Sequence, residues 1–208
     1  MDLREAGIDE GISEVIVTTQ SVSGVPNAAP IGIITATNNN NSKGKDKDEN
    51  ENNYFVKLYG GSKTLSNVQE TNKLAASVTD DAVLFVKAAF EPLTESQFTL
   101  FNGFPVLKEA NSWILFDCAF SEKIRETFIF RLTPLAVKTN RKEVKAINRG
   151  LNAVIEAAIL ATRYAITEDE RDRAEREKQM AFCARIVEKC GGSREKEALK
   201  ILQEKNKL

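Results

Sequence analysis

Histidine is missing from all 208 residues. That absence removes the Ser-His-Asp and Cys-His nucleophile arrangements, the H-E-x-x-H zinc site and the commonest proton-transfer group near neutral pH. Any chemistry then falls to a cofactor. Cysteine is scarce. Cys118, Cys183 and Cys190 make neither an even framework nor a C-x-x-C pair, so reduced thiols are expected, with no disulfide and no metal site. No segment approaches the run of about 18 apolar residues that a membrane helix needs. Met1-Asp2-Leu3-Arg4-Glu5 is charged where a signal peptide would become apolar, so a cytoplasmic protein without a membrane partner is predicted. An excess of either charge is lacking as well: 29 basic against 30 acidic residues leave a net charge of -1 and a pI near 5.8, which supplies no field for nucleic acid.

What is present describes a globular chain. Hydrophobic residues are 42% and charged residues 28%, and the length allows one core plus a satellite. Glu14-Val15-Ile16-Val17-Thr18-Thr19 reads as a strand, Ser23-Gly24-Val25-Pro26-Asn27 as a turn, and Ala29 to Thr37 as a second strand. Residues 38–53 contain no apolar side chain before Tyr54 and predict a disordered polar insertion between neighbouring strands, since Tyr54 to Tyr59 resumes the strand pattern.

After Gly60-Gly61, Ser62 predicts the cap of a helix whose apolar side carries Leu65, Val68 and Leu74, ending before Ser77. Ala82 to Phe90 suits a short helix behind the caps Asp80 and Asp81, and a strand nearly as well. Phe98 to Phe101, Ser112 to Phe120 and Thr127 to Val137 add strands. Six or so short strands imply a closed or nearly closed barrel.

From Lys142 the period is helical, with Val144, Ile147, Leu151 and Ala158 on one stripe. A capping box at Thr167-Glu168-Asp169-Glu170 predicts a second helix closed by Gly191-Gly192, and Ser193 can open a third over Ala198, Leu199, Ile201 and Leu202. The domain division is therefore 1–138 for the barrel and 139–208 for a helical subdomain. The mixed charges after Thr167 fit a solvated helical hairpin or a docking surface for a partner.

Two runs could carry chemistry. Pro26-Asn27-Ala28-Ala29-Pro30-Ile31-Gly32-Ile33 has small side chains that would let a flat ligand lie against the backbone, although a tightly packed barrel wall has the same composition. Gly60-Gly61-Ser62-Lys63-Thr64-Leu65-Ser66-Asn67 places free amides, hydroxyls, a lysine and the positive end of a helix dipole together, which suits a phosphate monoester or a plain helix cap. Ser62 stands where a P-loop requires glycine before the lysine, so a triphosphate site is rejected, and no G-x-G-x-x-G follows a strand.

The order of Asn27-Ala28-Ala29-Pro30-Ile31-Gly32, Tyr59-Gly60-Gly61-Ser62-Lys63-Thr64 and Val78-Thr79-Asp80-Asp81 resembles the FMN-binding split barrel of the flavin reductase-like superfamily. With Asn152 to Ala157 and Thr162-Arg163 it is similar, more narrowly, to domain-of-unknown-function family 447. The resemblance implies an α+β fold, an antiparallel split β-barrel with a C-terminal helical subdomain. It implies FMN as cofactor and a homodimer with FMN near the subunit interface. The phosphate would lie at Gly61, Ser62, Lys63, Thr64 and Asn67, and the isoalloxazine along Asn27, Ala28, Ala29, Pro30, Ile31 and Gly32. Ser77 departs from the asparagine common there in the superfamily. The function expected is a flavin-dependent oxidoreductase or flavin reductase with a nicotinamide electron donor; the alternatives are a non-catalytic FMN carrier and an assembly protein docking through its C-terminal helices. No catalytic residue is assigned.

Overall fold

The computed structural model describes residues 3–37, 52–141 and 147–206. Most of the predicted polar insertion, and the first residues of the helical period at Lys142, lie outside the described residues. The chain divides into two compact units, Met1–Thr79 with Thr94–Lys142 and Asp80–Leu93 with Glu143–Leu208.

The first unit is a closed antiparallel barrel. Its strands are β1 (Gly11–Gln20), β2 (Pro26–Thr37), β3 (Asn52–Tyr59), β4 (Lys73–Val78), β7 (Ser112–Ile124) and β8 (Thr127–Thr139), ordered β1-β2-β3-β8-β7-β4. A two-stranded sheet of β5 (Phe98–Phe101) and β6 (Phe104–Leu107) completes the set. Alternation places the core: Val15 and Val17, Val56 and Leu58, Leu74 and Ala76, Ile114, Phe116 and Cys118, and Phe130 and Leu132 are spaced two apart on their strands and form one buried cluster. The opposite parity of β1, β4 and β7 is buried too, because the β5-β6 hairpin covers it. Thr18 Oγ1 donates to the Pro105 carbonyl at 2.6 Å, Ser77 Oγ accepts from the Leu107 amide at 3.2 Å, and Trp113 Nε1 donates to the Leu107 carbonyl at 2.8 Å.

Helix α1 (Lys63–Thr71) follows β3 and buries Leu65 and Val68 in the barrel cluster. It is shorter than its sequence pattern predicts. Asn72 takes a left-handed conformation (φ 52°) and its amide bonds back to Val68, so Leu74 belongs to β4 and not to the helix.

The second unit is helical: α2 (Ala82–Phe90), α3 (Arg149–Ile166), α4 (Glu170–Cys190) and α5 (Ser193–Asn206). Ala82 to Phe90 is thus a helix, capped by the Asp81 carboxylate on the Val83 and Leu84 amides, with Arg194 of α5 paired to the same carboxylate. The helix starting near Lys142 in the sequence pattern instead begins at Arg149, where Asn148 caps the Gly150 and Leu151 amides, and Ile147 is exposed. The buried stripe of α3 is Ala153, Val154, Ala157, Ala158, Leu160 and Ala161. Two further caps differ from expectation. Asp169, not Thr167, caps α4 through the Arg171 and Asp172 amides, while Thr167 Oγ1 bonds back to the Arg163 carbonyl. Ser193 is the first residue of α5, whose start is tied by the Gly192 amide donating to Glu195 Oε2 at 2.7 Å. No helix among the described residues is long and apolar enough to cross a membrane.

Candidate functional site

One seam of the closed barrel is paired over only part of its length. β1 pairs with β2 from Gln20↔Pro26 to Gly11↔Thr35, but β3 meets β2 only from Ile33↔Val56 to Thr37↔Asn52. Among the described residues, Pro26 to Gly32 therefore have a strand neighbour on one side only, and Lys57 to Tyr59 pair with β8 alone. Asn27, Ala28, Ala29, Pro30, Ile31 and Gly32, the residues of the sequence-predicted ledge, all lie on this free edge and are half-buried. The smallness of Gly32 has a local cause as well: a Cβ there would approach Ile12 Cγ2 to 2.5 Å. Ledge and packing coexist in this strand.

The chain leaves β3 through Gly60-Gly61. Gly61 has φ 77°, a left-handed value that favours glycine, and a Cβ on it would meet nothing within 4 Å. Ser62 then caps α1: its Oγ accepts from the Leu65 amide at 3.2 Å and donates to the Tyr59 carbonyl at 2.8 Å. The single Ser62 hydroxyl proton is thus spoken for inside the bend. The amides of Lys63 and Thr64, in the first turn where no intrahelical acceptor exists, meet none among the described residues. The Lys63 side chain is exposed and has no partner among the described residues.

Two side-chain bonds tie this helix start to the barrel. Asn27 Nδ2 donates to Thr64 Oγ1 at 3.2 Å, joining the free edge of β2 to the first turn of α1. Asn67 Nδ2 donates to Thr19 Oγ1 at 3.0 Å, and both residues are buried. Of the predicted binding residues, the fold joins Asn27, at the start of the β2 edge that runs on to Gly32, to Thr64 in the Gly61 to Thr64 bend. Asn67 holds α1 on β1 behind them, and Ser62 shapes the bend.

Sequence reasoning passed over a second turn at this corner. Arg125-Glu126 links β7 to β8, and the Gly60 amide donates to the Glu126 carbonyl at 2.8 Å. Tyr59 pairs with Thr127 in the same register. Nothing near Arg125 in the sequence advertises this, because the approach is set by the pairing of β3 with β8.

The corner offers two free first-turn amides, the positive end of α1, a cation and an uncovered strand edge of small residues. That combination suits an anion attached to a flat group. The three cysteines take no part. Burial, helped by the Asp117 charge, pushes the Cys118 thiol up to about 12.

The model of the N-terminal domain of "Protein of unknown function (DUF447)" matches residues 13–141, and the corresponding C-terminal model matches residues 148–204. Among solved structures, the chain is similar to an FMN-bound protein from Methanosarcina mazei of the same family model, at 37% identity and a TM-score of 0.82, covering 98% of this chain and 100% of that one. The fold alone is shared with the flavin reductase PheA2 (19% identity, TM-score 0.50, 68% of this chain and 90% of that one). It is shared likewise with an FMN-binding protein from Thermus thermophilus (13% identity, TM-score 0.50, 64% and 74%). The antiparallel split barrel with a helical part, expected from the sequence, is the fold observed.

Proposed function

The chain belongs to the DUF447 family, and from that membership we propose that it is an FMN-binding protein whose phosphate site is the start of α1 and whose flavin ledge is the free edge of β2. The observation that carries this reading is the seam between β2 and β3. Among the described residues it leaves a strand edge rich in small residues without a second strand, beside amides without acceptors, while a relative 37% identical over nearly the whole chain is FMN-bound. The residues fit the group. The Lys63 and Thr64 amides and the Lys63 ammonium would hold the phosphate, Asn27 and Thr64 would keep the helix start against the strand, and Ala28, Ala29 and Gly32 would leave room for the ring.

When bound, FMN supplies a hydride acceptor of its own, so the protein needs to bind, orient and tune it. A chain without histidine is suited to that division of labour. We extend the reading to a cytoplasmic homodimer that acts as a flavin-dependent oxidoreductase with a nicotinamide donor; fold kinship with a flavin reductase supports it.

A second reading, docking through the C-terminal helices, is favoured by one observation in the helical unit. A groove of about 580 Å³ lies between α3 and α4, with Phe182 on it 57% exposed.

The test is an absorption spectrum of the purified protein after addition of FMN, followed by NADH or NADPH under anaerobic conditions. A red-shifted, retained flavin band that bleaches with the nicotinamide is expected. Retention without bleaching would leave a carrier, and a colourless protein after desalting would contradict FMN binding.

A further inference from the structure

We infer that Arg125 supplies a second cation to the phosphate end of this site, and so helps the protein distinguish a flavin carrying a phosphate from one without it. The inference rests on the FMN reading above. It begins with an oddity of the backbone. Ile124 pairs with Thr127, so Arg125 and Glu126 form a two-residue hairpin turn, and Arg125 adopts φ 54°. Among the described residues with positive φ, every other one is glycine or asparagine, the types that tolerate the left-handed region. Glycine or asparagine would make this turn with less strain. An arginine held there calls for a reason outside the turn.

The surroundings supply one. Tyr59 pairs with Thr127, the Gly60 amide donates to the Glu126 carbonyl at 2.8 Å, and a Cβ built on Gly60 would lie 2.9 Å from Glu126 Oε2. The turn is therefore packed on the bend that delivers Lys63 and Thr64. Arg125 and Lys63 are both exposed, and neither has a hydrogen-bond or ion-pair partner among the described residues. Two cations without partners among the described residues thus sit on the two turns joined by the Gly60–Glu126 bond, and a Cβ on Gly61 would meet nothing within 4 Å.

A phosphate monoester is a dianion with three acceptor oxygens. A lysine and two amides leave part of the charge and several lone pairs unmet, and a guanidinium fork matches two oxygens of a phosphate at once. The Glu126 carboxylate, whose charge opposes an anion, sits on the Gly60 side of the turn, which makes a compensating cation at Arg125 the more useful.

The experiment compares FMN and riboflavin binding, by quenching of flavin fluorescence, in the wild-type protein, Arg125→Gly and Arg125→Lys. The wild type is expected to bind FMN more tightly than riboflavin. Arg125→Gly should weaken FMN about tenfold, leave riboflavin unchanged and keep the melting temperature, because glycine accepts the left-handed turn. Arg125→Lys should fall between. Unchanged FMN affinity in Arg125→Gly, or equal weakening of both flavins, overturns the role of Arg125 while the FMN site stands. A wild type that prefers neither flavin overturns the phosphate grip, and one that binds neither flavin overturns the FMN reading with it.

Discussion

Single residues in this protein do their work through neighbours that are distant in sequence. Ser62 was legible as a cap, because a hydroxyl ahead of a helical period satisfies a first-turn amide. That its proton is taken by Tyr59 was not legible, since that depends on how the bend closes. The family resemblance implied Asn67 at the phosphate; its side-chain amide donates to Thr19 of β1, 48 positions away, a bond that no local signal announces. Asp81 was readable as a cap from its place before an apolar run, whereas its pairing with Arg194 required the helical unit to assemble. The cysteines give a prediction at this scale. Burial raises Cys118 from its ordinary 9.0 to about 12, so the folded protein keeps a proton that the unfolded chain gives up above pH 9. The resulting stabilisation is intact below about pH 9 and is lost as pH climbs toward 12. In the native protein at pH 8, a thiol reagent should modify the half-buried Cys190 well before the buried Cys118 and Cys183, as peptide mapping of the labelled protein would reveal. Rapid labelling of Cys118 would contradict this packing of β7.

Elements were recovered where local chemistry decides them and missed where packing does. The hairpin of β5 and β6 was only half read. Asn102-Gly103, both with positive φ between the paired Phe101 and Phe104, is a strong short-range hairpin signal, and recognising it would have supplied β6. The sheet these strands form on the outside of the barrel has no such signal, because it rests on Thr18, Ser77 and Trp113 reaching across. The apolar run Ala82 to Phe90 was ambiguous between helix and strand. Its nearly complete burial removes the alternation that would decide, and the Asp81 cap resolves it. In the helical unit α3 and α4 meet at glycines. A Cβ on Gly150 would stand 2.5 Å from Gly191 Cα and 2.7 Å from its amide nitrogen, and backbone cannot turn aside as a side chain can. Gly150→Ala should cost about 2 kcal/mol or more of stability, despite the better helix propensity of alanine, measured as a lowered urea midpoint with circular dichroism. An unchanged or raised midpoint would mean that the two helices can separate at that end without loss.

At the scale of the whole molecule, five of the six barrel strands and a helical tail were legible in the sequence, because strand periods and turn residues are local; β4 was hidden in the end of a predicted helix, and the sixth strand counted, Phe98 to Phe101, belongs to the β5-β6 hairpin. The parting of β2 from β3 after Ile33 was not countable: it follows from β3 continuing along β8 while β2 continues along β1. That divergence makes the seam, and the Asn27–Thr64 bond ties the edge it leaves to the start of α1. The proposed function, resting on family membership, fold and seam, puts the FMN phosphate at the first turn of α1. The most direct measurement is a crystal structure of the protein grown with FMN. The phosphate is expected within hydrogen-bonding distance of the Lys63 and Thr64 amides, with the ring against Ala28 to Gly32. A flavin found elsewhere, such as the groove between α3 and α4, with the α1 corner filled by side chains, would contradict the account.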